Sequence, residues 1–547
     1  MMGCVFRLWR TVRHLRLSQV YGRFRFNLFR PSPNLALAPL CRAISTPWCL
    51  AAQRDPSLTK MGGFVFLNEE GSLKKNGWDD PTKSKLWLYN QHYFDDLNAR
   101  DAISRAKQHR ALIIDWISVN LPGRGTGWEP YPTSLRVVNW IKWILVGNNP
   151  EPQMLQSLAV QTRWLSHRLE RHLLGNHLFA NAKALVFAGL FFDGPEAQRW
   201  LKLGTAILEK EISEQILCDG GQFELSPMYH ALAVEDMLDL INIARVFQQD
   251  TLAETCGDRV PSMLCWLVTM THPDGTLASF NDTASGIAPS VSILLDYART
   301  LGFAVSSHLP DLVHLTSSGY MRLDKSPAVL ITDIAKIGPD YLPGHAHADT
   351  LSFELSLHGK RVIVNSGTSV YGLSPERIRQ RGTAAHSTLT IDGQNSSEVW
   401  SGFRVGRRAR PQDVRVGSNG TVLRAEGAHD GYRYLKGRPL HRREWKLTPT
   451  GLLIQDRVES TCLHEINVRF HLAEGYHAEI ASDGTVRVMQ EQGREVLIFV
   501  ASGATPSVIV STLHPQFGKT VPNQVICLLA DASKPTVVKS QLNWSHP

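Results

Sequence analysis

The spacing of apolar residues changes once along the chain, near Leu309. From about residue 98 to residue 302, apolar residues recur at intervals of three and four, which is typical of amphipathic helices. Short segments rich in Gly, Asn, Asp and Pro separate these stretches, as at residues 147–150 and 193–195. The pattern therefore predicts antiparallel helix pairs with short turns, forming a helical toroid or bundle rather than a series of βαβ units.

Beyond Leu309 the hydrophobic period shortens towards two residues. Short, often β-branched runs follow one another between Gly, Asn, Asp and Pro, as at residues 328–332 and 351–357. Many such strands at short intervals predict an antiparallel β-sandwich. We therefore expect an α+β multidomain chain with three zones: an N-terminal extension and connector at 1–90, the toroid at 91–308 and the sandwich at 309–547.

Composition and charge are those of an ordinary globular chain. Of the 547 residues, 43% are hydrophobic and 20% are charged, which excludes a wholly disordered protein. The 58 Lys and Arg exceed the 50 Asp and Glu by a net charge of +8. This modest excess is compatible with a polyanionic partner such as an acidic polysaccharide. The eight cysteines include no C-x-x-C and match neither a zinc finger nor a disulfide framework.

Several function classes lose support because their motifs are absent. There is no Walker loop, no G-x-G-x-x-G after a strand and no G-x-S-x-G, so we expect no nucleotide or organic cofactor and no common serine-hydrolase fold. No nucleic-acid-binding module is recognisable. No apolar run approaches the ~18 residues of a membrane span. Arginines interrupt the apolar stretches of residues 1–30, so no secretory signal peptide is legible.

The densest polar cluster opens the β region. It reads Gly344-His345-Ala346-His347-Ala348-Asp349. If this stretch is extended, His345, His347 and Asp349 share one face, because side chains alternate along a strand. Two imidazoles and a carboxylate on one face can hold a divalent metal or provide a general base. The alternative is that these histidines are solvated or packed in the core.

Two groups in the helical region also carry polar side chains at helix starts. Asn176 and His177 precede an apolar helix, and Glu224 lies five residues before Tyr229 at a break between helices. These groups offer an amide, an imidazole, a carboxylate and a phenol for chemistry. Equally, Asn176 can be a simple helix cap and Tyr229 a buried structural residue.

Aromatic and basic side chains form two further candidate substrate contacts. Trp128 precedes Arg136, and a guanidinium beside aromatic rings can hold a sugar carboxylate, although the arginine can equally snorkel from a helix. The strongest basic run, residues 402–411, includes Arg404 and Arg408. Such a run is commonly a solvated face, but its place near His386 makes it a candidate surface for an anionic chain.

Taken together, these motifs resemble the heparinase II/III-like family of polysaccharide lyases. The resemblance is strongest over residues 344–367, 383–388 and 392–393, and it covers most of the chain from about Asn90. The helical motifs occur in the order found in the family: Trp128–Trp140, Asn176-His177 and Glu224–His230. The resemblance implies an (α/α) toroid followed by an antiparallel β-sandwich, in agreement with the change of hydrophobic period.

The resemblance also implies β-elimination on a polysaccharide that contains uronic acid, such as a glycosaminoglycan, alginate or another exopolysaccharide. In this chemistry the sugar carboxylate must be neutralised before the weakly acidic C5 proton can be removed. Asn176 would do so, helped by an imidazole or by Arg136. Tyr229 would protonate the departing O4 or act on both sides of the reaction in turn. His345 is the candidate base or charge stabiliser, and His177 is its competitor.

Some members of this family hold a structural zinc ion with two histidines and an aspartate. The matching positions here are His347, Asn365 and His386, so an amide stands where those members have a carboxylate. A neutral amide oxygen is the poorer zinc ligand, which leaves Asp349 as a possible substitute. The resemblance further implies an exported, periplasmic protein, with the cytoplasm as the alternative because no signal peptide is legible.

Two rival functions stay open at this stage. A glycoside hydrolase on the same toroid would use Glu224 paired with Glu129 or Asp282. A non-catalytic protein for polysaccharide binding or assembly would keep the fold without turnover. The sequence leaves open the uronate, its linkage, endo or exo cleavage, and the oligomeric state.

Overall fold

The computed structural model describes residues 2–59, 62–306, 308–530 and 536–544. Helices dominate its first half and antiparallel strands its second, which confirms the predicted toroid followed by a β-sandwich. No helix within these ranges has the length and apolar character required to cross a membrane.

The N-terminal zone begins with a pair of helices and continues as an extended segment along the toroid. A small hairpin and a single helical turn complete it. Its elements are α1 (Met2–Val12), α2 (Leu17–Leu28), β1 (Phe64–Phe66), β2 (Glu69–Gly71) and α3 (Leu73–Asn76).

The toroid is built from helices whose starts carry proline or a serine cap in most cases, as helix-start preferences predict. Apolar faces and several buried tryptophans form one continuous core inside it. The helices are α4 (Lys85–Tyr93), α5 (Ala106–Val119), α6 (Pro130–Leu145), α7 (Pro152–His167), α8 (Gly175–Phe191), α9 (Pro195–Gln215), α10 (Pro227–Val246), α11 (Asp250–Gly257), α12 (Val260–Thr269) and α13 (Val291–Thr300).

The β region consists of two large antiparallel sheets with a second hydrophobic core. Alternating burial along its strands, as in Leu440–Thr448, places apolar residues between the sheets. Its elements are β3 (Leu312–Leu315), β4 (Tyr320–Lys325), β5 (Ala328–Asp333), β6 (Phe353–Leu357), β7 (Lys360–Val364), α14 (Pro375–Arg381), β8 (Leu389–Ile391), β9 (Val399–Trp400), β10 (Arg404–Val405), β11 (Pro411–Ser418), β12 (Leu423–His429), β13 (Leu440–Thr448), β14 (Gly451–Glu459), β15 (Ile466–Leu472), β16 (Tyr476–Ile480), β17 (Val486–Gln490), β18 (Glu495–Ser502), β19 (Thr505–Gln516), β20 (Lys519–Ala530) and β21 (Thr536–Asn543).

The strand order places the loops of one sheet next to the toroid. That sheet runs β19-β20-β15-β7-β6-β5-β4-β3, with β8 paired to β15, and the other runs β11-β12-β13-β14-β21-β18-β17-β16. The long connections between β5 and β6 and between β7 and β8 belong to the first sheet. They supply the polar cluster described below.

A small apolar cluster with buried hydrogen bonds joins the toroid to this sheet. The Tyr320 hydroxyl donates to the Leu225 carbonyl at 2.6 Å, and the Asn281 amide donates to the same oxygen at 2.9 Å. The Trp266 indole donates to the Ser318 hydroxyl at 2.9 Å. Because these partners come from both halves, the seam between toroid and sandwich is held at a defined distance.

The helix that begins at the seam, α8, packs closely against α9 because glycine lies at their contact. A Cβ placed on Gly189 would come within 2.6 Å of the Leu201 backbone nitrogen. Real Cβ atoms do not approach backbone so closely, so only glycine allows this helix spacing. The position of the α8 start therefore depends on a contact at its far end.

We expect Gly189→Ala to destabilise the protein by about 1–3 kcal/mol, because the added methyl group must push α9 away from α8. Gly257→Ala is the matched control: its added Cβ meets only a ring carbon of Phe303, at 3.8 Å. The control should leave stability unchanged or raise it by up to about 1 kcal/mol. Urea unfolding, monitored by circular dichroism, gives the free energy of unfolding of both variants. Equal midpoints for Gly189→Ala and the wild type would contradict the packing argument.

Candidate active site

The predicted residues of the two halves meet at the seam, around the imidazole of His345. Its Nδ1 lies 2.9 Å from a carboxylate oxygen of Asp282, and its Nε2 lies 3.6 Å from the Glu224 carboxylate. The Asp282 backbone N–H also donates to the His345 carbonyl at 3.0 Å. Asp282 and Glu224 belong to the toroid and His345 to the β5–β6 connection. The site is therefore assembled across the seam.

The charge of Asp282 is set by Arg377 of α14. One guanidinium nitrogen of Arg377 lies 2.6 Å from Asp282 Oδ2, another contacts Oδ1, and both side chains are fully buried. Burial favours a neutral acid. The Arg377 guanidinium and the hydrogen bonds from two imidazoles nevertheless hold the pKa of Asp282 well below its usual range. An ionised Asp282 makes His345 Nδ1 the proton-bearing nitrogen and leaves the lone pair on Nε2, on the side of the ring nearer Glu224.

Two phenols lie beside the imidazole. The Tyr229 ring stacks on His345 with a centroid distance of 3.9 Å, and its hydroxyl lies 3.1 Å from that of Tyr371. The Tyr371 hydroxyl is 3.5 Å from His345 Nδ1. Burial and the neighbouring Tyr371 hold the pKa of Tyr229 well above 10, so its hydroxyl keeps a proton at neutral pH. The site thus pairs an imidazole acceptor with a phenol donor.

The start of α8 supplies the amide. Gly175 has φ +54°, and a Cβ there would come within 2.4 Å of Leu342 and 3.0 Å of the Glu224 carboxylate. Glycine therefore lets Glu224 approach the helix start, where the Asn176 backbone N–H lies 3.4 Å from it. Partial positive charge at a helix N-terminus stabilises such a carboxylate. Within the described residues, the Asn176 side-chain amide has no protein hydrogen-bond partner, so it is free to bind a ligand.

His177 is held differently from His345. Its Nδ1 lies 3.1 Å from Glu170, and its ring packs on Tyr131 with centroids 4.5 Å apart. Burial opposes protonation, but the Glu170 carboxylate outweighs it and raises the pKa of His177 above 6.5. A histidine with this partner favours its cationic form, which is suited to contact with an anion.

His347 and His386 form a buried pair whose protons can be accounted for. His386 Nδ1 lies 2.8 Å from the Gly382 carbonyl and must donate to it. His347 Nε2 lies 2.8 Å from the ionised Asp282 and must also donate. The two remaining nitrogens, His347 Nδ1 and His386 Nε2, then face each other at 3.0 Å with a lone pair each. Because burial lowers both pKa values, that of His386 to about 4, this gap suits a metal cation.

A third ligand is available in Asp349. Ligand atoms of His347, Asp349 and His386 all lie within 4.8 Å of one another. The family-matched Asn365 instead accepts a hydrogen bond from the Ser387 backbone N–H at 3.0 Å through its amide oxygen. The chemistry of the set therefore fits a divalent metal, with Asp349 rather than Asn365 as its carboxylate.

In a second buried histidine pair, each donor nitrogen faces an acceptor, so the pair needs no cation. The Gly431 N–H donates to His429 Nδ1 at 3.1 Å, so His429 donates from Nε2 to His441 Nδ1 at 3.2 Å. His441 Nε2 then donates to Asp456 at 2.7 Å. Every nitrogen has a matching partner. The His347–His386 pair differs because His386 Nδ1 faces the Gly382 carbonyl, an acceptor, whereas His429 Nδ1 faces the Gly431 N–H, a donor.

Two predicted substrate contacts are wrong, because the structure places both side chains in the interior of the toroid. Arg136 is 0% exposed, stacks 3.8 Å above Trp116 and donates to Gln161 at 2.9 Å. Trp128 is 3% exposed and donates to the Asn120 carbonyl. Both side chains belong to the toroid core, where a sugar cannot reach them.

Of the two predicted arginines in the basic run, one is exposed and the other is held in an ion pair. Arg404 is exposed and lies 5.0 Å from the centre of the Trp400 ring. Arg408 is largely buried and forms an ion pair with Asp340 at 2.6 Å. Phe403, next to Arg404, packs edge-on against His345 with centroids 6.2 Å apart. This loop therefore borders the site through Phe403, and of the two predicted arginines only Arg404 is exposed.

Three residues acquire roles that sequence reasoning had not assigned to them. Tyr371 had drawn no attention, although it follows the polar strand end Asn365–Thr368 by three residues. The sequence suggests for Arg377 only a place among the basic residues that lie near His386 in the chain, and for Asp282 only the role of a hydrolase carboxylate. Each role depends on a contact that joins distant parts of the chain.

Comparison with known proteins places the chain in a family. The family described as "Heparinase II/III N-terminus" matches residues 145–299, and the family described as "Heparinase II/III-like, C-terminal" matches residues 307–541. A heparin-sulfate lyase of Bacteroides stercoris is 26% identical over 399 residues, covering 67% of this chain and 57% of the relative. One from Pedobacter heparinus is 29% identical over 299 residues, covering 50% and 42%. The chain thus spans about half the length of these curated relatives.

Solved structures support the same fold. The crystal structure of heparinase III aligns over 97% of this chain and 86% of its own, with a TM-score of 0.67 and 17% identity. At that identity the likeness shows the fold alone. The two family matches together span most of the chain, from the toroid to the last strands of the sandwich, and the chain therefore belongs to the heparinase II/III-like family.

Proposed function

We propose that this protein is a polysaccharide lyase that cleaves a uronic-acid-containing acidic polysaccharide by β-elimination. The observation that carries the proposal is the His345 imidazole, set between two carboxylates and stacked on the protonated phenol of Tyr229. This is an acceptor and a donor of protons in contact with each other. The curated relatives named above are heparin-sulfate lyases, and the proposed reaction belongs to the same class.

In the proposed reaction, the side-chain amide of Asn176 binds the uronate carboxylate and lowers the cost of developing negative charge. His345 Nε2 removes the C5 proton. The electrons of the C5–H bond form the C4–C5 double bond as the C4–O4 bond breaks, and Tyr229 gives its hydroxyl proton to O4. The products are an unsaturated uronate and a chain ending in a free hydroxyl.

The charges around His345 favour the proton-transfer step. In the proposed reaction, the imidazolium formed by proton removal lies between Asp282 and Glu224, whose carboxylates stabilise its positive charge. An interaction that strengthens towards the transition state accelerates the reaction. The Tyr371 hydroxyl, 3.1 Å from that of Tyr229, can donate to the phenolate that remains.

The hydrolase alternative fits this geometry poorly. Asp282 is held ionised by Arg377 and cannot serve as a general acid, and its oxygens are occupied by guanidinium and imidazole groups. Glu129 is engaged by Lys85 and Tyr89. Paired carboxylates with room for water or a nucleophilic attack are the requirement for glycoside hydrolysis. A binding protein without turnover is distinguished from the lyase by product analysis.

We also propose that a zinc ion binds between His347, His386 and Asp349. Bound there, it would supply a fixed positive charge that satisfies the facing lone pairs and holds the chain segment on which His345 lies. His347 donates from its other nitrogen to Asp282, the carboxylate that orients His345. Such hydrogen bonds from a ligand to a carboxylate are typical of zinc sites.

We expect Tyr229→Phe to lower kcat by about 10²–10⁴-fold, because the leaving oxygen loses its proton donor. Activity is followed by ultraviolet absorbance of the unsaturated product and by product masses, on a panel of heparan sulfate, chondroitin sulfate, hyaluronan and alginate. Tyr476→Phe, a phenol of the sandwich far along the chain, is the control. Products lacking the double bond would indicate hydrolysis, and full activity in Tyr229→Phe would exclude its role.

The choice between the two histidines is testable directly. We expect His345→Gln to reduce kcat by about 10²–10⁴-fold. His177→Gln should mainly raise KM, because we assign His177 to the substrate anion. The reverse pattern, with kcat lost only in His177→Gln, would make His177 the base.

The zinc proposal predicts about one zinc per chain after dialysis against zinc, measured by elemental analysis, and a lower melting temperature after chelation. His386→Ala should abolish binding, and Asp349→Asn should weaken it by at least about tenfold, because the ligand loses its charge. Asn365→Ser should retain the metal. Metal loss in Asn365→Ser but not in Asp349→Asn would contradict the ligand assignment, and a metal-free wild type would contradict the site.

A further inference from the structure

Residues 2–30 contain a basic, aromatic-rich pair of helices, α1 and α2, that the lyase proposal leaves unused. These residues include seven arginines and neither aspartate nor glutamate. The first acidic residue of the chain is Asp55. A run with charge of only one sign carries a strong local potential. We refer to residues 2–30 as the helix pair.

The helix pair is fastened to the rest of the protein through polar contacts. Arg10 donates two hydrogen bonds to Glu398, at 2.9 and 2.8 Å, and Arg16 forms an ion pair with Glu214 of α9. Gln19 is the buried residue of α2. Glu398 belongs to the sandwich half and Glu214 to the toroid. The helix pair therefore lies across both halves with its polar side inward.

Its apolar side chains face outward instead. Exposed fractions of the exposed large apolar side chains run from 41% at Leu15 to 88% at Leu17, with Phe6 and Trp9 at 55%. Soluble proteins scatter single apolar residues on their surfaces, but a continuous group of large ones marks an interaction surface. The group continues along α2, where the exposed members are Leu17, Val20, Tyr21, Phe24 and Leu28.

We propose that the helix pair docks onto the surface of a membrane that contains anionic lipid. Aromatic and leucine side chains interleaved with arginines are the composition of helices that lie in the membrane interface. At 11 and 12 residues, the helices are about 16–18 Å long, against a hydrocarbon core of about 30 Å, so a bilayer meets them along their sides. The exposed Arg13, Arg23 and Arg25 reach lipid phosphates while the apolar rings enter the boundary region.

Charge and chemistry select this partner over two others. A second copy of the chain would bring two arginine-rich surfaces together and would be repelled. An acidic polysaccharide would complement the arginines but would leave the exposed Leu17 and Leu28 uncovered. Only an anionic bilayer offers negative charge and apolar material in the same layers.

Sedimentation of the full-length protein with vesicles tests the proposal. We expect binding to vesicles of 70% phosphatidylcholine and 30% phosphatidylglycerol, and at least about tenfold weaker partition onto pure phosphatidylcholine or in high salt. The double substitution Trp9→Ser and Phe24→Ser should reduce partition at least about tenfold. The matched control is Ile103→Ser with Val510→Ser, two side chains equally exposed at 82% and 81% elsewhere, and it should bind like the wild type.

A second set of variants tests the charge. Arg13, Arg23 and Arg25 are exposed and form no ion pair with an acidic residue within the described chain. Converting all three to glutamine should weaken binding by about tenfold or more, since each basic residue near an anionic surface contributes about fivefold. Lyase activity on soluble polymer should be unchanged in every variant, because none of these residues lies in the proposed machinery.

Three results would overturn the proposal. One is absence of binding to the anionic vesicles. Another is equal vesicle binding by the wild type and the Trp9→Ser/Phe24→Ser variant. The third is concentration-dependent self-association in sedimentation velocity that the same variant abolishes, which would assign the surface to a second copy of the chain. These readouts do not depend on catalysis, so they stand apart from the test of lyase activity.

Discussion

The buried ion pair between Arg377 and Asp282 is the interaction on which the rest of the site depends. It joins α14 of the sandwich half to a loop of the toroid, and it keeps a carboxylate ionised where burial alone would neutralise it. That charge orients His345 and His347 together through their hydrogen bonds. Removing one member of such a pair leaves an unpaired buried charge, at a cost of about 3–5 kcal/mol.

The fold was predictable because its signal is periodic and local. The change of hydrophobic period near Leu309 separates helices from strands, and the structure has its last toroid helix ending at Thr300 and its first large-sheet strand beginning at Leu312. Candidate residues such as His345 and Tyr229 were visible because unusual polar groups interrupt apolar patterns. Their contact was not predictable, because Tyr229 belongs to the toroid and His345 to the sandwich half, and they meet only where the two halves pack together.

Burial explains why two predicted substrate contacts were wrong. Arg136 and Trp128 are suited to sugar recognition, but their partners within the toroid core, Trp116 and Gln161 among them, satisfy them without a ligand. Conversely, Asn365 has an amide where some family members have a carboxylate, while Asp349, two residues after His347, lies at the histidine pair. The sequence offers Asp349 as a substitute, but only the fold shows that its carboxylate lies near both imidazoles.

The division of the site between two halves has a consequence for any chemistry that it performs. Asp282 and Glu224 belong to the toroid, whereas His345 and Arg377 belong to the sandwich half. A substitution that widens the seam would therefore separate the imidazole from both carboxylates at once. The relative position of the two halves, and not only the identity of the site residues, sets the environment of the His345 imidazole.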